Sequence, residues 1–164
     1  MSKSPQGAPS VNLLAVDTAT EGCSAACLAG DKSFERYAVD PQGHSRTLLG
    51  MVEAVLAEAR LERSALDALA YDAGPGSFTG IRIGAGVAQG LALGLEKPLL
   101  AVSSLMTLAE GARREQPGCN SVLAAIDARM DQVYWARLRS DPEAPGHWRW
   151  DEMPCVSEPR EVAV

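Results

Sequence analysis

Gly74-Pro75-Gly76-Ser77-Phe78-Thr79-Gly80 is the chain's most distinctive run, and its composition bears directly on chemistry. A glycine turn between a strand and a helix aims backbone N–H groups outward, where an anion can bind. It is not a P-loop, because no Lys-Ser/Thr pair follows the last glycine. Thr79 stands where a dinucleotide fingerprint needs its third glycine, and Pro75 breaks the pattern that would make Ser77 a nucleophile elbow. Two readings stay open: a weak anion site, or a turn that needs glycine for close packing. Asp17 and Asp127 each close an apolar run. Facing one cleft, they would hold Mg²⁺ for phosphoryl transfer or for a two-metal nuclease. The plainer reading makes them strand-end aspartates capping turns with Thr18 or Thr20. His44 opens a helical pattern, but the position one turn later is Leu48, so it reads as a surface histidine at a helix start. Trp148 and Trp150 share one face of an edge strand and suit packing; base stacking needs a basic groove.

Those residues need a scaffold, and the composition supplies one. The chain has 164 residues, of which 46% are hydrophobic, enough to bury a core. Lys and Arg number 15 against 21 Asp and Glu, a net charge of −6, which argues against gripping nucleic acid unaided. Four cysteines form no CxxC and only two histidines are present, so a structural zinc is not expected and the thiols read as reduced. Residues 1–10 are polar with two prolines and read as a disordered extension without a signal core. The most membrane-like stretch, 81–95, carries Arg82 and Gln89 and is too short to span a bilayer. The expectation is a cytoplasmic protein with no membrane partner.

Periodicity sets out the elements. An apolar run at 11–16 and strands at 23–29 and 33–39, set off by turn signals at Glu21-Gly22 and Gly30-Asp31, predict an antiparallel meander, followed by a helix at 44–60. A strand at 66–73, a helix at 77–96, a strand at 99–102 and a helix at 104–114 complete the unit. After Gln116-Pro117-Gly118, strands at 121–126, 132–139 and 147–150 begin it again. The predicted fold is α/β: one ribonuclease-H-like lobe over 11–116, then the opening three strands of a second, incomplete lobe over 117–164. A bare face on those three strands would expose apolar surface and must be covered.

The two long helices stand out. In the first, Leu48, Met51, Val52, Val55, Leu56 and Ala59 fill an arc broad enough for burial on two sides. The second holds Gly80, Gly84, Gly86, Gly90 and Gly94. Interior glycines cost roughly 1 kcal/mol each relative to alanine, so about 4–5 kcal/mol must be offset by packing. Gly80, Ile83, Gly84, Val87, Gly90, Leu91, Gly94 and Leu95 share one face, with Arg82 and Gln89 opposite, a surface made for close backbone approach.

Four segments together resemble the TsaB (YeaZ) family. They are Leu14-Ala15-Val16-Asp17-Thr18-Ala19-Thr20-Glu21, His44-Ser45-Arg46, the glycine turn continued through Ile81-Arg82-Ile83-Gly84, and Ala125-Ile126-Asp127-Ala128-Arg129-Met130. The resemblance covers about residues 11–150. It implies an actin-like ATPase fold and a role in forming N6-threonylcarbamoyladenosine at position 37 of tRNAs that read ANN codons. It further implies a non-catalytic scaffold that pairs with the transferase TsaD, works with the ATPase TsaE, forms a homodimer when alone, and meets tRNA only through the complex. ATP and metal are expected on the partner subunits, with no cofactor of its own. The paralogue's His-x-x-x-His metal motif falls here on Ser104 and Leu108, which cannot replace imidazoles. The family's pairing helices map to 44–60 and 77–96, making Leu48, Met51, Val52, Val55, Ile83, Gly84, Val87, Gly90, Leu91 and Gly94 the expected partner interface. One departure is Asp72-Ala73, where relatives often carry Gly-Arg before the turn. The alternative function is an actin-like ATP-dependent phosphotransferase using Asp17 and Asp127.

Overall fold

A computed structural model describes residues 10–39, 43–141 and 143–162, so nearly all of the expected N-terminal extension lies outside the described residues. The first three strands are β1 (Asn12–Asp17), β2 (Gly22–Ala29) and β3 (Lys32–Val39), and along β1 and β2 buried positions alternate as the pleat requires. Two parallel strands, β4 (Ala68–Asp72) and β5 (Leu99–Val102), extend the sheet on the far side of β1, giving the order β3-β2-β1-β4-β5. Leu14, Val16, Cys23, Ala25, Cys27 and Leu69 point to one face and form the main core with helices α1 (His44–Ala59) and α2 (Phe78–Leu95). Cys23 and Cys27 lie four residues apart along β2, fully buried on that face and not joined by a disulfide. Both helices close on a left-handed residue, Arg60 (φ 54°) after α1 and Glu96 (φ 54°) after α2. Neither end carries the glycine that usually marks such a stop.

The broad apolar arc of α1 is used inside the chain. Leu48, Met51, Val52 and Val55 are buried in the main core, where α1 lies across β2 and β3 and touches α2. This corrects their expected place in a partner interface. An arc that looks two-sided on a wheel is filled by a twisted sheet on one side and a neighbouring helix on the other.

α2 divides the face that Gly80, Gly84, Gly90 and Gly94 were expected to share, burying the first two and leaving the last two exposed. Gly80, Gly84, Ala88 and Ala92, four residues apart, are its buried positions. Gly86, Gly90 and Gly94 have no atom within 4 Å of where a side chain would begin. At 18 residues α2 also passes a length-and-hydropathy test for a membrane span, but its buried stripe is seated on β1 and β4.

The second sheet has the order β6-β7-β8, formed by β6 (Ser121–Arg129), β7 (Gln132–Asp141) and β8 (Ala144–Ser157). β8 runs well past the expected 147–150, through Pro154, with irregular register against β7. An edge strand tolerates a proline because one side of it needs no ladder partner. Helix α3 (Ser104–Glu115), expected within the first lobe, packs instead on this second sheet. Leu105 and Ala109 meet Ala124, Ala136 and Leu138, flanked by Trp148 and Trp150, so one face of the second sheet is covered by α3. Glu110 fastens the helix. It accepts hydrogen bonds from Arg113, Arg114 and the Trp148 indole, and the Arg113 guanidinium foremost lowers its pKa to about 2.

The two glycine sets of α2 should answer oppositely to alanine. Gly80→Ala places a methyl group 2.0 Å from the Thr18 carbonyl oxygen and should cost at least about 2 kcal/mol. Gly90→Ala meets nothing and should stabilise the isolated chain by about 0.5–1 kcal/mol through helix propensity. Urea unfolding of both variants measures the contrast.

Candidate functional site

The glycine turn and the end of β1 are pressed together backbone to backbone. A β-carbon on Gly76 would lie 2.3 Å from the Ala19 carbonyl oxygen, and one on Gly84 2.7 Å from Thr18 Oγ1. Ser77 N–H donates to the Ala19 carbonyl at 2.6 Å, and Thr18 Oγ1–H donates to the Gly80 carbonyl at 2.7 Å. Ser77 Oγ caps α2 by accepting the Gly80 N–H. Two donors an anion would use are thus already spent, and the close-packing reading of the turn accounts for its glycines. Gly74 (φ +94°) adds a backbone conformation that other residues rarely adopt.

Asp72 lies beneath this turn, 7% exposed. Its Oδ1 accepts Gly74 N–H at 2.7 Å and Ser104 Oγ–H at 2.5 Å. Ser104 N–H in turn donates to the Gly74 carbonyl at 2.9 Å. No side chain caps α3 at Ser103, and the Ser104 hydroxyl serves Asp72. Burial raises the Asp72 pKa from 3.8 to about 6, and the nearby Asp17 carboxylate adds to the rise against the two hydrogen bonds.

A cleft of about 660 Å³ opens between the turn region and the second sheet, its walls formed by Tyr37, Val39, Phe78, Ile126 and Tyr134 among others. Asp127 lines this cleft and Asp17 does not. Each carboxylate is engaged locally: Asp17 Oδ1 accepts Ala19 N–H, and Asp127 Oδ1 accepts Arg129 N–H at the same 2.7 Å. The turn-capping reading therefore holds, and among the described residues no three His, Cys, Asp or Glu side chains converge as a metal set. His44 is buried rather than at the surface, with Nε2 3.4 Å from the Glu21 carbonyl oxygen. Beside the cleft, Arg129, Met130 and Asp131 are all left-handed (φ 67°, 53° and 58°), and Met130 is 93% exposed.

Of the expected interface residues on α2, Gly84 is buried against Thr18 within the chain. Ile83, Val87 and Leu91 are half-buried, whereas Gly90 and Gly94 are open. Gly86 and Leu93 join this outward face, Leu93 being 82% exposed. Periodicity placed them outside the apolar arc, because a wheel shows which residues share a face but not which face the chain keeps for itself.

The tRNA N6-adenosine threonylcarbamoyltransferase (TsaD) family model matches residues 39–144. The solved structure of YeaZ from Pseudomonas aeruginosa superposes with a TM-score of 0.87 at 48% identity, covering 94% of this chain and 70% of that one. The chain belongs to the TsaB (YeaZ) family. Its fold is accordingly the actin-like, ribonuclease-H-like α/β fold. The tRNA threonylcarbamoyladenosine biosynthesis protein TsaB of Escherichia coli is 46% identical over 152 residues, 93% of this chain and 64% of the relative. The Haemophilus influenzae TsaB is 41% identical over 144 residues, 85% of this chain and 61% of the relative. The chain thus spans somewhat under two thirds of each of these two curated relatives.

Asp72 gives a test of the site in solution. A carboxyl whose folded pKa is raised contributes stability below its unfolded pKa and loses it as pH rises through the folded value. From 3.8 to about 6 the loss amounts to about 3 kcal/mol, complete by about pH 7. Asp72→Asn should flatten this part of the stability–pH curve and raise stability near neutrality, as read by denaturant titration from about pH 4.5 to 7.5. The lowered pKa of Glu110 acts elsewhere, withdrawing stability as pH falls from 4.5 towards 2.

Proposed function

We propose that this chain is a non-catalytic scaffold subunit for N6-threonylcarbamoyladenosine formation on tRNA, working by docking the outer face of α2 onto the transferase TsaD. The observation that carries this reading is the open glycine stripe Gly86, Gly90 and Gly94, continuous with Ile83, Val87 and the exposed Leu93. Three helix-interior glycines cost about 3 kcal/mol together, and no internal contact offsets it. Such a groove repays its cost when a partner helix lies along it, because backbones approach where no side chain intervenes. Covering Leu93 adds about 1.5–3 kcal/mol. On α1 the exposed neighbours are Leu49 and Gly50, which replace the buried quartet as that helix's contribution.

The family relationship supports the pathway, since the curated relatives are named for tRNA threonylcarbamoyladenosine biosynthesis. In this reading TsaD and TsaE carry the ATP and the metal. Ser104 is committed to Asp72 and Leu108 is apolar, consistent with a subunit that contributes no metal ligands. A charge of −6 leaves tRNA to be held by the partners in the cytoplasm. Alone, the chain pairs with a second copy through the same face.

Light scattering on a sizing column, with the chain alone and mixed with its TsaD, tests the proposal. The expected result is a dimer that converts to a 1:1 complex. Gly90→Leu and Leu93→Asp should each weaken the complex at least tenfold, about 1.4 kcal/mol, while the monomer stays folded. Unchanged affinity in both variants would sink the α2 interface.

A further inference from the structure

The link between the lobes is narrow, and it carries a titratable group. α3 makes its main packing contacts with β6, β7 and β8, so it moves with the second sheet. Its first residue, Ser104, is tied to the first lobe by two hydrogen bonds, one from its hydroxyl to Asp72 and one from its N–H to the Gly74 carbonyl. Ala73 N–H donates to the Val102 carbonyl at 2.8 Å beside them, which keeps β5 and the glycine turn in step up to the start of α3. We propose that Asp72 and Ser104 form a proton-linked latch that holds α3, and with it the second sheet, against the first lobe and so sets the width of the interlobe cleft.

The surroundings of Asp72 give the latch its direction. The charged group facing it is Asp17 at the end of β1, which repels a second carboxylate. The glycine turn supplies one donor, Gly74 N–H, and α3 supplies the other, Ser104 Oγ–H. β5 sets the apolar Val102 beside it. Protonated, the carboxyl keeps its Oδ1 bonds while the proton removes the repulsion from Asp17. Ionised, it is a buried anion with two donors and a like charge beside it, and hydration by a swing of α3 relieves it. The latch is closed in mildly acidic solution and loosens towards neutrality.

The lips of the cleft offer label sites. Tyr37 stands on the first lobe and Met130 beside the cleft on the second, both well exposed. Tyr37→Cys and Met130→Cys carry spin labels in a background with Cys119→Ser and Cys155→Ser; the buried Cys23 and Cys27 stay. Electron–electron double resonance then reads the interlobe distance at about pH 5 and pH 7.5, with circular dichroism confirming that each sample is folded. The expected distribution is narrow at the lower pH and broadens or shifts outward at the higher. Asp72→Asn should be narrow at both, and Ser104→Ala broad at both. His44 also lines the cleft, but any effect it had would survive in Asp72→Asn. A distribution that ignores pH in the unsubstituted latch, a pH response that persists in Asp72→Asn, or a Ser104→Ala protein that stays narrow overturns the proposal.

Discussion

The rest of this structure depends on one close contact, between the start of α2 and the end of β1. Carbonyl oxygens of Thr18 and Ala19 occupy the space where side chains at Gly80 and Gly76 would begin. Only glycine permits that distance, and the Ser77 and Thr18 hydrogen bonds exploit it. With its N-terminus seated there, α2 is aligned along β4 and must turn one fixed stripe, Gly80-Gly84-Ala88-Ala92, inward. The opposite stripe is then left open. Its composition is an outward surface determined by an inward constraint.

The same turn reaches the second lobe through Asp72 and Ser104. A buried carboxylate is a costly way to hold two segments together when a neutral pair would serve. Here its acceptor oxygen meets one donor from each segment, which fixes the start of α3 relative to the turn. Ser104 occupies the place where resemblance to the catalytic paralogue would put a metal-binding histidine. A position that could carry chemistry serves as a structural tie instead.

Much of the fold was legible because it rests on local periodicity. The meander, both long helices and the restart after Gln116-Pro117-Gly118 all follow from apolar spacing and turn residues. Misreadings arose where tertiary contact decides. The width of the α1 arc did not reveal that one sheet and one neighbouring helix would consume it. Nothing local to Ser104-Leu105-Met106-Thr107-Leu108 says that α3 leaves the first sheet for the second. His44 looked like a surface residue because a lone polar side chain at a helix start usually is one; here the Glu21 carbonyl lies near its ring and the cleft wall encloses it. On α2, the predicted face included the outward Gly90 and Gly94 but not Gly86 and Leu93, which are equally open. The wheel had no means of telling the stripe held by Thr18 from the stripe left open.

In the proposed reading α2 has two faces with separate tasks, one holding the lobe together and one docking a partner, with the interlobe cleft outside the pairing surface. Methyl NMR of the Ile-, Leu- and Val-labelled chain, titrated with its TsaD, tests that division most directly. The account predicts that Ile83, Val87 and Leu93 shift or broaden on complex formation while Val39 and Ile126, in the cleft, hold their positions. Perturbation of the cleft methyls with the α2 methyls unmoved would contradict it.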